Sequence, residues 1–340
     1  MAGKGKYQHF ITENVAPKGT KRIGVYDVND NRVGSILLGS LVPPNAEQKL
    51  YSFGALSDVH LGKAEDENEQ EDFRKALVYF EETEDVDFTC VCGDLTESGS
   101  VTQLSEFKNY VDQHSANTPV YAITGNHDGW NSNIESEIAT YTGHPLYYSF
   151  THGNDVFIMV GIKNDTDIFT AAEMQWLYET LEANRNKRCF VFQHALRFDG
   201  SGNPYAGVTP TYELLNKANG TVFVSLMEHY PNIIWFHGHS HTAFDSQEDN
   251  DLANYDKKFG IHSIHIPSLS VPREYEASDY VSKYSESEGY VVDVYENGIH
   301  LLGRDFAKGE FLPIASYWLD TTLQTIAPNT YKDSTGTITT

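Results

Sequence analysis

Cysteine is scarce: Cys90, Cys92 and Cys189 are the only three in 340 residues, and each sits in an apolar run of β type. So small and odd a number argues against a disulfide framework and points to buried thiols in a reducing compartment. A metal site on Cys90-x-Cys92 is the alternative for that pair. Positive charge is short as well, with 24 Lys and Arg against 48 Asp and Glu, for a formal charge of −24. Counterion release needs clustered cations, so no broad nucleic-acid-binding face is expected. A phosphate-bearing substrate would have to be held by something locally positive, such as bound metal. Long apolar runs are missing too. No stretch approaches the roughly 18 apolar residues that a spanning helix needs, and the first thirty residues contain no apolar leader core. The expectation is a cytoplasmic protein, neither secreted nor membrane-bound.

What is present is enough apolar residue, 40%, to bury a sizeable core. "RIGVYDVNDNRVGSILLG" (22–39) reads as two β runs around an Asn/Asp turn, and "LVPPNAEQK" as a linker. Strand-like runs then recur at 50–57, 86–92, 119–124, 155–161, 188–193 and 232–237. Between them Phe73, Ala76, Leu77 and Phe80, and again Leu104, Phe107 and Val111, follow helical spacing. Thr170 with Glu173 makes a capping box ahead of Met174, Leu177 and Leu181. Strand and helix in alternation mean an α/β fold with parallel strand pairs. The later "FGIHSIHIP" and "GYVVDVYENGIHLLG" lack intervening helices, and the second is a hairpin around Glu296-Asn297-Gly298. That points to a mixed (α+β) sheet or a second sheet packed on the first. The last dozen residues read as a flexible tail or an edge strand.

In open α/β sheets ligands gather where strands end. "LSDVH" puts Asp58 and His60 after the first strand, and "CGDLTE" puts Asp94 after the second. "GNHD" supplies Asn126, His127 and Asp128; "FQH" supplies His194; "HGHSH" supplies His239 and His241. Each piece alone is common, and a lone His at a strand end is usually a satisfied polar residue. Five strand exits in succession ending in oxygen or imidazole donors are not. Asp, His and Asn without Cys suit Zn, Mn or Fe. About seven such groups are too many for one ion, whereas two ions sharing a carboxylate would use them all.

In this pattern, D-x-H, G-D, G-N-H-[DE], H and G-H-x-H over residues 58–241, the chain resembles the calcineurin-like metallophosphoesterase superfamily. The resemblance implies one metal on Asp58, His60 and His241, a second on Asn126, His194 and His239, and Asp94 bridging. It implies two mixed β-sheets packed as a sandwich flanked by helices, the αββα arrangement. It implies hydrolysis of a phosphomonoester or phosphodiester by in-line attack of a metal-bridging hydroxide. His127, outside the metal shell, would serve the leaving oxygen, with Asp128 orienting it. The domain reading is an N-terminal β-hairpin extension at 1–45, the catalytic domain at 46–312 and a C-terminal tail at 313–340.

One branch of the superfamily, the purple acid phosphatases, has an iron-ligating tyrosine three residues after the G-D aspartate; this chain has Glu97 there. Arg197 and Arg273 are the candidates for a phosphate clamp, because guanidinium matches phosphate oxygens in pairs. Solvated surface arginines are the alternative. His237, just before the last motif, reads as structural. Two further functions stay open: a metal-binding scaffold of the same fold without chemistry, and a nuclease.

Overall fold

The computed structural model describes residues 22–26, 32–37, 46–63, 68–84, 86–164, 168–195, 218–245, 255–256, 261–276 and 279–339. In chain order the strands begin with β1 (Arg22–Tyr26), β2 (Arg32–Leu37), β3 (Lys49–Leu56), β4 (Phe88–Cys92) and β5 (Val120–Ile123). They continue with β6 (Tyr147–His152), β7 (Asp155–Val160), β8 (Cys189–Gln193), β9 (Ile233–His237), β10 (Tyr255–Asp256) and β11 (His262–His265). The last are β12 (Arg273–Glu276), β13 (Asp279–Ser282), β14 (Glu288–Tyr295), β15 (Gly298–Asp305) and β16 (Glu310–Asp320). The helices are α1 (Glu69–Val78), α2 (Val101–His114), α3 (Ile134–Thr142), α4 (Ala171–Ala183) and α5 (Gly220–His229).

Two mixed six-stranded sheets form, in the orders β16-β15-β14-β3-β4-β5 and β10-β11-β9-β8-β7-β6. In the first, β3, β4 and β5 are parallel; in the second, β7, β8, β9 and β11 are. The sheets stack because each strand alternates its faces. Along β8, Phe190 and Phe192 enter the layer between the sheets while Cys189 and Val191 face α4 and α5. That shared layer is aromatic, built on Phe53, Phe88, Phe157, Phe190, Phe192 and Phe236. Full burial of such a side chain contributes about 1.5–3 kcal/mol, so this layer is a main source of stability. On the outer face of the first sheet, Phe73, Ala76 and Leu77 of α1 pack with Leu104 and Phe107 of α2, along the helical stripes read from sequence. The order helix, sheet, sheet, helix is the expected sandwich. The capping box forms as read, Thr170 Oγ1 accepting from Glu173 N and Glu173 Oε2 from Thr170 N.

Some of the sequence reading needs correction. The pairing of β6 with β7 was not foreseen, nor were α3 and α5. The tail expected from residue 313 begins inside β16, an edge strand that buries Ala315, Tyr317 and Leu319. Beyond it, residues 329–339 form no strand, yet Tyr331 and Ile338 are buried with the apolar faces of α4 and α5. Cys90, Cys92 and Cys189 are buried free thiols. The Cys92 thiol lies 3.5 Å from the Phe236 carbonyl, inside the apolar layer and not in a ligand cluster. The two expected strands β1 and β2 pair antiparallel. Among the described residues no helix is long and apolar enough to cross a membrane.

Candidate active site

Parallel strands β3, β4, β5, β8 and β9 end on one edge of the sandwich, and their exits are stitched together by backbone bonds. Asp58 N donates to Gly93 O, His60 N to Asp94 O, and Gly238 N to His194 O. The turns are tight enough to force unusual backbone. Asp58, His60, Asp94, His239 and His241 all have φ between 48° and 76°, the left-handed region. A non-glycine residue held there costs on the order of 1–3 kcal/mol, and such strain collects at functional sites. Gly93, at φ +85°, spares that cost and leaves room, since a Cβ there would stand 2.7 Å from the His194 ring. At Gly125 a Cβ would stand 2.2 Å from Asp94 Oδ1.

The imidazoles share one design. His60 Nδ1 is 2.9 Å from Glu97 Oε2, His194 Nδ1 is 2.7 Å from Cys92 O, and His241 Nδ1 is 3.0 Å from Val271 O. Each of these partners only accepts, so each Nδ1 carries a proton, and Nε2 presents a lone pair whenever the ring is neutral. Those Nε2 atoms converge on two buried carboxylates. His241 Nε2 lies 3.2 Å from Asp58 Oδ1, and His194 Nε2 lies 3.2 Å from Asp94 Oδ2. His60 Nε2 is 3.6 Å from Asp94 Oδ2 and 3.8 Å from Asp58 Oδ1. Asp58 Oδ1 and Asn126 Oδ1 are buried and accept no hydrogen bond.

Among the described residues, ligand atoms fall into three groups, each within 4.8 Å: Asp58, His60 and His241; His60, Asp94 and His127; Asp94, His194 and His239. Oxygen and imidazole donors with two buried oxygens left without partners fit a metal ion of the Zn, Mn or Fe kind.

Burial opposes every charge in this cluster. On Asp58 it is outweighed by the His241, His194 and His60 imidazoles, which hold the carboxyl well below its usual range. Asp94 is likewise lowered against burial by His194 and His60. His194 goes the other way: burial would lower it, but Asp94 and Asp58 push it up to about 9. Burial brings His239 down to about 4. It brings His241 down to about 3, with the Arg273 charge adding to the effect. One imidazolium thus balances the two carboxylates while His239 and His241 offer neutral lone pairs.

Asp128 requires a correction. Its carboxylate does not reach the His127 ring; it accepts from Leu95 N, Thr96 N, Thr96 Oγ1 and Gly125 N at 2.7–3.0 Å. Burial, with the Asp94 charge adding, pushes its carboxyl up to about 6. It ties the loop after β5 to the loop after β4. His127 is held instead by its Nδ1, 2.8 Å from the Glu97 carbonyl, and its backbone N donates to Asp94 Oδ1.

Glu97 was missed as a functional residue, though its place three residues after Asp94 was a signal. Its side chain binds His60, its carbonyl binds His127, and Lys63 Nζ lies 3.5 Å from Oε2. Burial is outweighed by His60, Lys63 and His127, so its carboxyl falls to about 2. The Arg273 backbone runs beside the last motif, its N donating to His241 O and its carbonyl accepting from Ala243 N. Arg197 lies outside the described residues. His237 Nε2 bonds Ser263 Oγ at 3.1 Å, and burial lowers the ring to about 3, in keeping with a structural role.

A family model described as calcineurin-like phosphoesterase matches residues 51–243. No curated protein matches the chain in sequence. A purple acid phosphatase from yellow lupin (Lupinus luteus) seeds superposes with a TM-score of 0.52 at 13% identity, covering 88% of this chain. The chain spans only 59% of that protein's length. A predicted phosphoesterase from Streptococcus pneumoniae aligns with a TM-score of 0.39 at 12% identity, over 79% of this chain and 97% of that one. Vacuolar protein sorting 29 from Cryptosporidium parvum does so with 0.41 at 13%, over 80% and 100%.

Proposed function

Since the chain belongs to the calcineurin-like phosphoesterase family, we propose that it is a metal-dependent hydrolase of phosphomonoesters or phosphodiesters acting at this edge of the sandwich. The observation that carries the reading is the set of three imidazoles. His60, His194 and His241 are each fixed from behind through Nδ1 and aim Nε2 at Asp58 and Asp94. In this reading Asp58, His60 and His241 would hold one ion and Asn126, His194 and His239 a second, with Asp94 available to both. Such ions would lend Lewis acidity to the ester oxygens and acidify a water for in-line attack.

The chain's own residues do the rest. His127, its Nδ1–H tied to the Glu97 carbonyl, presents Nε2 to the leaving oxygen and donates a proton to it as the ester bond breaks. Arg273 flanks His241 and steadies the anionic ester. Asp128 keeps the two loops that carry Asp94 and Asn126 in register. The left-handed backbone at five of the candidate ligands fixes the turns that carry them.

The test is a substrate panel on the purified chain loaded with Mn, Zn or Fe: p-nitrophenyl phosphate, its bis-ester, cyclic nucleotides, nucleotides and single-stranded DNA. Turnover on the small esters supports the reading. Turnover confined to DNA would make the protein a nuclease, and none with any metal would make it a metal-binding scaffold.

A further inference from the structure

Trp130 is the unusual residue beside the site. It closes the one-turn 3-10 segment Asp128–Trp130, and its side chain is 53% exposed, whereas Trp235 is fully buried. The backbone around it is fixed on both sides. Asp128 anchors the turn from below, Trp130 N donates to His127 O, and Asn131 Nδ2 donates to Gly99 O and Glu137 Oε2, both at 2.9 Å. The fold therefore holds a large apolar ring at the surface by a rigid stem. Its ring centroid is 4.1 Å from that of His127 at a tilt of 34°, and His127 is 4.6 Å from His60. The indole lies one ring away from the ligand cluster, next to the group that serves the leaving oxygen.

We infer that Trp130 is a platform on which the leaving group stacks, so that the site favours phosphate esters whose leaving group carries an aromatic ring. The inference rests on the hydrolase reading above and adds a substrate class to it. Stacking on an exposed aromatic tolerates any planar ring and is insensitive to its hydrogen-bonding edge. A nucleoside and a simple aryl group are therefore both favoured over an aliphatic group of equal bulk.

The test compares methyl 2-(1-naphthyl)ethyl phosphate with methyl 2-cyclohexylethyl phosphate, and the matching monoesters, on the Mn-loaded chain. Both leaving alcohols are alkyl, so their demand for a proton is alike and only the ring differs. Wild-type kcat/KM is expected to favour the naphthyl ester by about tenfold or more. Trp130→Leu, which keeps bulk without aromaticity, should remove that preference by slowing the naphthyl ester about tenfold more than the cyclohexyl ester, and Trp130→Phe should keep part of it. Equal slowing of both esters in Trp130→Leu would make Trp130 a mere support for His127 and overturn the inference, with hydrolysis itself intact. A wild type with no preference would overturn it as well. If neither ester turns over with Mn, Zn or Fe, the hydrolase reading falls and takes the inference with it.

Discussion

The Nε2 atoms of His60 and His241 face each other at 3.0 Å, while Glu97 and Val271 hold the far sides of the two rings. With both rings neutral and protonated on Nδ1, two lone pairs meet there, an arrangement that a cation between them would favour. The supports on the Nδ1 side keep the rings from turning away. The same supports fix the tautomer, which is what a carboxylate behind a metal-binding histidine does.

Glu97→Ala should therefore weaken binding of one Zn or Mn equivalent by about 10–100-fold in a calorimetric titration. Glu97→Gln, whose amide oxygen still accepts from His60 Nδ1, should lose less. Wild-type affinity in the alanine variant would leave His60 without need of its partner.

Iron offers an independent check on the same position. A carboxylate stands here where the purple branch has tyrosine, and its Oε2 is engaged by His60. Iron-loaded protein should show no intense visible charge-transfer band. A strong band would mean that one of the 21 tyrosines reaches the ion.

Much of this site was legible because it is local in sequence. Parallel strands deliver their ends to one edge, so a residue one to four places past each strand needs no further information to be placed. The features that escaped depend on distance. Asp128 follows His127 directly and suggests a pair, but in a tight turn the two side chains diverge, and the donors that claim Asp128 come from residues 95, 96 and 125. The β6 strand is only half buried, with Ser149 and Thr151 exposed, so it lacks the apolar run of a central strand. Pro313 stands inside β16. It is tolerated because the strand lies at the sheet edge and the register with β15 shifts there, Leu301 pairing with Tyr317 but Gly303 with Leu312.

His127 separates ligation from proton transfer. Because His60, Asp94 and His127 themselves form one of the close groups, both roles are within reach. If His127 serves the leaving oxygen, His127→Ala should keep full metal content and lose roughly 10²–10⁴ in turnover. An alkyl ester should lose more than a p-nitrophenyl ester, whose leaving group needs little protonation. Loss of one metal equivalent by elemental analysis would instead make His127 a ligand.

Glu173 sets a pH dependence that is independent of the site. It is fully buried in α4, Oε2 accepts from Thr170 N at 3.3 Å, and Oε1 has no partner. Burial pushes its carboxyl up to about 8, against an unfolded value of about 4.3. The folded state therefore binds this proton more tightly, and stability falls as pH rises from the unfolded value to the folded one, then levels off. Glu173→Gln keeps an oxygen for the cap and carries no charge, so it should match wild type near pH 4 and exceed it by on the order of 5 kcal/mol near pH 9. Urea unfolding across that range, with chelator present to remove metal linkage, measures the difference. A gap between the two proteins that stays constant with pH would mean that Glu173 does not titrate in the folded state.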